Sequence, residues 1–280
     1  MKVTIVGAGV MGTGIAYAFA VSGYKVYIND INKDKLNEAS NNVNALLKKS
    51  YNKGFLTSDV YNNAKKNIIY DTNLESVVRD SLLVIEAILE NMDLKIEIFK
   101  KLDEICSANT ILATNTSTMS PTEIGAQTSR PDKVIAMHFF NPVHKMKLIE
   151  IIKGLETSEQ TVTKIKEYAK NINKEVVEVE EFPGFVTSRM NCLIGNEAMN
   201  MLMEGIASAE DIDKAMKLGL NHPMGPLELV DLVGLDSRLR NMEYLYNTLG
   251  EKYRPSPLLI KYVKAGRLGR KSGNGFYKYN

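Results

Sequence analysis

The chain has 280 residues, 35 Lys and Arg against 33 Asp and Glu, and 44% hydrophobic residues. That length and apolar content suit two packed domains and exclude a disordered chain, while a net charge of +2 excludes the clustered basicity of a nucleic-acid binder. Cys106 and Cys192 lack CxxC or metal-ligand spacing, which fits free thiols in a reducing cytosol and offers no metal site. Met1 leads straight into a strand pattern without a cleavage signal or an apolar span of membrane length. The expectation is a cytoplasmic protein with neither a membrane nor a nucleic-acid partner.

In chain order, VTIV (3–6) reads as a strand, and GAGVMG follows it at the mouth of a helix. Gly7, Gly9 and Gly12 form GxGxxG in the context that gives the motif meaning. The glycines permit a tight turn, close approach of a pyrophosphate and close helix–strand packing, and the N–H groups at the helix start hold the anion. The next strand, VYIN (26–29), ends at Asp30, where a carboxylate accepts both ribose hydroxyls and repels a 2′-phosphate. NAD is therefore expected over NADP. A polar insertion, 32–66, reads as two helices around Gly54 and carries Lys48, Lys49 and Lys53.

The rhythm resumes with NIIY (67–70), LLVIEA (82–87), TILATN (110–115), KVIAMH (133–138), KLIEII (147–152) and EVVEV (175–179). Short apolar runs alternating with helical patterns predict βαβ units and a largely parallel, doubly wound sheet of Rossmann type. Between them a helix over 93–106 carries Leu94, Ile98, Leu102 and Ile105 as one apolar stripe. At EFPGF (181–185) the pattern turns to helix alone, which places the boundary at Pro183: an α/β domain over 1–183 and an all-α domain over 184–280. The helix predicted over 185–203 bears Met190, Met199, Met201 and Met203, a stripe suited to a core or a subunit interface. A helical half of this size suggests substrate capture and dimerisation.

Three strand ends carry candidate chemistry. Glu86, Glu90 and Lys95 lie where a doubly wound sheet opens onto its ligand crevice, though a solvated acidic helix start reads equally well. Asn115, Thr116, Ser117 and Thr118 either orient a carbonyl or cap the helix beginning near Pro121. His138 ends a strand, and Glu150 sits in the apolar run Leu148, Ile149, Ile151, Ile152 of the next. A carboxylate on a buried strand must be met by a partner. If His138 meets it, one ring N–H is fixed and the other nitrogen is left to act as a base. His144 has no anchored partner in sequence, and His222, at the turn NHPMGP, reads as structural or interfacial.

Taken together, VGAGVMGTGIA, VIEAILENMDLK, TNTSTMS, MHFFNPVHKMKLIEII, PGFVTSR, GLNHPMGPLELVDLVGLD and YVKAGRLGRKSGNGFY resemble the short-chain 3-hydroxyacyl-CoA dehydrogenase family along essentially the whole chain. The resemblance implies an NAD-binding N-terminal domain and a helical C-terminal domain that forms a homodimer. It implies interconversion of a 3-hydroxyacyl-CoA with its 3-keto form, 3-hydroxybutyryl-CoA and acetoacetyl-CoA being the expected pair, in fatty-acid or butyrate and butanol metabolism. By motif, Ser117 then hydrogen-bonds the reacting oxygen, His138 is the general base and Glu150 its orienting partner. Glu90, Lys95 and Asn115 contact the nicotinamide side of NAD, and Lys48, Lys49 and Lys53 suit the phosphates of CoA. One position departs from the family pattern: PGFVxNR carries an asparagine that helps polarise the substrate carbonyl, and here Ser188 stands in its place. A serine hydroxyl is a shorter donor, and loss of such a donor costs roughly a hundredfold in turnover.

Two other readings keep the cofactor. One is a dehydrogenase of another hydroxy acid or acyl-CoA on the same scaffold; the other is a non-catalytic NAD(H)-binding protein, against which Ser117, His138 and Glu150 argue.

Overall fold

The computed structural model describes residues 1–279. Two compact units result, Met1–Glu181 and a second that begins at Phe182.

The first unit runs β1 (Lys2–Val6), α1 (Val10–Val21), β2 (Lys25–Asn29), α2 (Lys33–Asn52), α3 (Ser58–Asn67), β3 (Ile68–Asp71), α4 (Leu74–Val78), β4 (Leu83–Glu86), α5 (Met92–Ile105), β5 (Ile111–Thr114), α6 (Pro121–Gly125), β6 (Val134–Phe139), β7 (Leu148–Lys153), α7 (Glu159–Asn171) and β8 (Glu175–Glu180). Its eight strands form one sheet in the order β3-β2-β1-β4-β5-β6-β7-β8. The first six are parallel, as a right-handed βαβ succession requires. β7 turns back antiparallel to β6, and β8 runs parallel to β7. The central strands are Val- and Ile-rich because helices cover both faces: one core gathers Ile5, Phe19, Ile28, Leu47 and Ile165, the other Val84, Phe99, Leu102 and Ile124.

Helix starts in this unit follow side-chain chemistry. Asn32, Thr57, Asn73, Asn91, Ser120 and Ser158 each accept a backbone N–H at the head of α2 to α7, satisfying donors that a helix cannot pair internally. α1 is the exception: it begins at Gly9 without a side-chain cap. The expected stripe on α5 is displaced. Leu94 is 41% exposed, and the buried face consists of Lys95, Phe99 and Leu102. A lysine takes the inward position because two carboxylates meet it there, as described below.

The second unit contains α8 (Thr187–Met203), α9 (Ala209–Gly219), α10 (Pro226–Val233), α11 (Leu235–Leu249) and α12 (Pro257–Lys264). Cys192, Met199, Leu227, Val230, Leu235, Met242 and Leu245 make its core. The methionines of α8 do not share a face. Met199 is fully buried, whereas Met190, half a turn around the helix from it, and Met203, the last residue of the helix, are exposed. Asp213 caps α10 through the N–H groups of Leu227 and Glu228, and Asp231 receives those of Phe276 and Tyr277. Arg238 is fully buried on α11 and donates to Cys192 Sγ at 3.1 Å. Gly195 lets α8 pack closely on α10, since a Cβ there would approach Val230 to 3.0 Å.

Both cysteines are buried free thiols. Burial pushes the Cys106 thiol up to about 11, against a smaller opposing effect of Arg130. At pH 8 it stays protonated, so a thiol reagent is expected to modify Cys106 in the native protein far more slowly than in denaturant. Rapid native labelling of Cys106, read by peptide mass, would contradict its burial. No helix among the described residues is long and apolar enough to cross a membrane.

Candidate active site

The dinucleotide cradle begins where β1 delivers the chain to α1. Gly7 has φ +109°, and a Cβ on it would meet the Ala87 carbonyl oxygen at 2.6 Å. Gly12 packs so closely that a Cβ would lie 1.9 Å from the Gly7 carbonyl oxygen. At Gly9 the situation is reversed: no protein atom lies within 4 Å of a built Cβ. The loop is therefore tight where it packs on the protein and open where a pyrophosphate would approach an uncapped helix start, which fits NAD. Asp30 ties the loop to the next turn: Oδ2 accepts the Ala8 N–H at 2.9 Å and Oδ1 the Asn32 N–H at 3.0 Å. Each oxygen keeps a second lone pair for a ribose hydroxyl. Asp30→Ala is expected to weaken NADH binding roughly tenfold and to narrow its advantage over NADPH; fluorescence titrations showing an unaltered preference would refute that role.

At the ends of β4 and β5 lies a buried acid–lysine–hydroxyl network. Glu86, fully buried, pairs with Thr114 across the two strands. Its Oε1 accepts the Ile88 N–H at 2.7 Å and the Lys95 ammonium at 2.8 Å; Oε2 accepts Lys95 at 3.0 Å and the Thr114 hydroxyl at 2.7 Å. Lys95, 1% exposed, also reaches Glu90 Oε2 at 3.2 Å. Glu90 Oε1 in turn accepts the Thr116 hydroxyl at 2.5 Å, the Ser117 N–H at 2.9 Å and, more loosely, the Ser117 hydroxyl at 3.4 Å. Burial pushes the Glu90 carboxyl up, but the Lys95 charge and these hydrogen bonds together outweigh it and hold it below its ordinary value. Burial likewise pulls Lys95 down, and the two carboxylates more than restore it.

β6 and β7 supply the acid–base pair. Their antiparallel register sets His138 opposite Glu150, so both side chains leave the same face. His138 Nδ1 lies 2.7 Å from Glu150 Oε2, with the residues 7% and 1% exposed. The Phe140 ring packs at 4.5 Å from the imidazole centroid. A carboxylate partner at Nδ1 places a proton on that nitrogen and leaves Nε2 to exchange one with a ligand. The Asn115 side-chain oxygen Oδ1 accepts the Phe139 N–H at 3.0 Å, stitching the 115–118 loop to the strand end that carries His138.

The structure thus brings His138 to Glu150, Glu90 to Lys95 and Ser117, and Asn115 to the β6 end. Lys48, Lys49 and Lys53 are exposed on α2 and at its C-cap. His144 sits edge-on to Tyr17, centroids 6.1 Å apart, and is held below its ordinary value by burial and then by Lys145, Lys174 and Lys49. The basic surface around α2 therefore extends onto the β6–β7 connection, which spacing in the sequence did not disclose. Ser188 belongs to the second unit, in the first turn of α8, half-buried. Glu86 was legible as a strand-end candidate but not as the partner of Lys95, and Thr114 gave no signal in the sequence.

Comparison with known proteins gives a consistent result. Residues 2–182 match the family described as 3-hydroxyacyl-CoA dehydrogenase, NAD binding domain, and residues 184–279 match the 3-hydroxyacyl-CoA dehydrogenase C-terminal domain. A 3-hydroxybutyryl-CoA dehydrogenase of Clostridioides difficile is 48% identical, covering 100% of both chains. A probable 3-hydroxybutyryl-CoA dehydrogenase of Bacillus subtilis is also 48% identical, over 99% of this chain and 97% of its own. Among solved structures, (S)-3-hydroxybutyryl-CoA dehydrogenase PaaH1 from Ralstonia eutropha superposes with a TM-score of 0.94 at 45% identity, covering 100% of this chain and 99% of that one.

Proposed function

The chain belongs to the 3-hydroxyacyl-CoA dehydrogenase family, and from that premise we propose how its residues divide the work. It is an NAD-dependent oxidoreductase that interconverts (S)-3-hydroxybutyryl-CoA and acetoacetyl-CoA. The observation that carries our reading of the chemistry is the 2.7 Å contact between His138 and Glu150.

In the oxidation direction, Nε2 of His138 takes the proton of the 3-hydroxyl, and Glu150 stabilises the imidazolium that forms. NAD, held by the residues named below, would supply the acceptor for the hydride that leaves C3. The Ser117 hydroxyl hydrogen-bonds the same oxygen, helping to hold it as it gains carbonyl character; the family pattern carries a further donor at position 188, where this chain has serine. In reduction His138 gives the proton back. Gly7, Gly9, Gly12 and Asp30 hold the adenine half of the cofactor; Glu90 and Asn115 line its nicotinamide side, with Lys95 acting through Glu90. Lys48, Lys49 and Lys53 attract the phosphates of CoA. The α/β unit is the cofactor domain and the helical unit the substrate and dimerisation domain. We place the enzyme in the cytoplasm as a homodimer, serving fatty-acid or butyrate metabolism.

The test is NADH consumption with acetoacetyl-CoA, run beside NADPH and beside a longer 3-ketoacyl-CoA. Rapid oxidation of NADH with acetoacetyl-CoA is expected, with NADPH slower by roughly a hundredfold, the order of one misplaced phosphate against Asp30. Silence with every thioester, in protein that binds NADH, would overturn the reading. Ser188→Asn is expected to raise turnover or leave it unchanged, because the amide reaches farther than the hydroxyl. A large loss of kcat would show a site built around serine.

A further inference from the structure

The network under Ser117 holds more negative than positive charge. Lys95 has three ammonium protons, and they meet Glu86 Oε1, Glu86 Oε2 and Glu90 Oε2 at 2.8, 3.0 and 3.2 Å. Every partner of Glu86 is a donor: Lys95, the Ile88 N–H and the Thr114 hydroxyl. Glu90 Oε1 likewise faces only donors, from Thr116, Ser117 and Thr118. Donor-only surroundings suit two ionised carboxylates. One ammonium against two carboxylates leaves one unit of negative charge unneutralised within the network. The side chains of Glu86 and Lys95 are 0% and 1% exposed, so that charge is expressed at Glu90, whose side chain is 25% exposed.

We infer that Glu86 and Lys95 are positioning residues that pin Glu90 as a carboxylate against the 115–118 loop, and that the excess negative charge makes the site favour the oxidised, cationic form of the nicotinamide over the reduced, neutral form. The inference rests on the reading above in which Glu90 lines the nicotinamide side. The charge is held by buried partners and not by mobile surface groups, so water and salt screen it weakly. Glu86 enters only through Lys95; it touches neither cofactor nor substrate in this account.

A charge series tests it. Wild type, Glu90→Gln, Glu86→Gln and the double variant carry a network charge of −1, 0, 0 and +1. Each is titrated with NAD⁺ by calorimetry and with NADH by fluorescence, and the ratio of the two dissociation constants is compared. The ratio of Kd for NAD⁺ to Kd for NADH is expected to rise roughly three- to tenfold in each single variant and further in the double. Thr114→Val removes a neutral partner of the same carboxylate without changing charge, and its ratio is expected to stay within about twofold. A purely structural role for Glu86 would lower thermal stability and leave the ratio unmoved. Should Glu86→Gln not fold, Glu90→Gln carries the test by itself. A ratio unmoved by Glu90→Gln, in an enzyme whose wild type binds both cofactors and turns over acetoacetyl-CoA, overturns this inference and leaves the proposed function standing. A wild type that binds neither cofactor overturns both.

Discussion

Replacement of His138 by glutamine lowers turnover roughly a thousandfold or more, while NADH binding stays within about threefold. The size follows from what is removed. Glutamine matches the reach of the imidazole but neither accepts nor releases a proton near neutral pH, so the step loses its acid–base partner and must use water. The contacts proposed for the adenine half of the cofactor lie elsewhere, on the β1–α1 turn and at Asp30, so binding is expected to persist. kcat from NADH absorbance and Kd from NADH fluorescence separate the two effects. Turnover within tenfold of wild type would remove His138 from the chemistry.

Glu150→Gln is the second large effect, expected at roughly a hundredfold in kcat with a small change in KM. The amide is nearly isosteric with the carboxylate, so the strand pairing of His138 with Glu150 survives. It has lost the charge that stabilises the imidazolium, and its NH₂ can turn toward Nδ1 and favour the wrong tautomer. If Glu150 acts through His138, as proposed above, the two losses do not add: the His138→Gln, Glu150→Gln double variant is expected to be no slower than His138→Gln. A further tenfold drop in the double variant would mean that Glu150 works independently of the histidine.

Much of this was readable from the residues because burial imposes strong patterns. A strand covered on both faces must be apolar throughout, so ILAT and VIAMHF announce themselves, and a glycine triplet between strand and helix has few other uses. Glu150 was legible by contrast, as a carboxylate in an apolar run that demands a partner, and the β6–β7 pairing supplies His138 at the register position opposite. Long-range polar pairing was harder to see. The inward turn of Lys95 makes sense only with Glu86 beside it, and an apolar-stripe rule selects Leu94 instead. Asn115 accepts an N–H from Phe139, twenty-four positions away, which no local pattern encodes. Arg238 is similar: an arginine on a helix reads as exposed, yet it is buried and donates to Cys192, forty-six positions away.

The measurement that bears most directly on the central claim is NADH formation from NAD⁺ with (S)-3-hydroxybutyryl-CoA beside its (R) enantiomer. Rapid formation with the (S) substrate, at least about a hundredfold above the (R) and abolished in His138→Gln, is the predicted result. Equal rates with both enantiomers, or no reaction with either in protein that binds NAD⁺, would contradict the account.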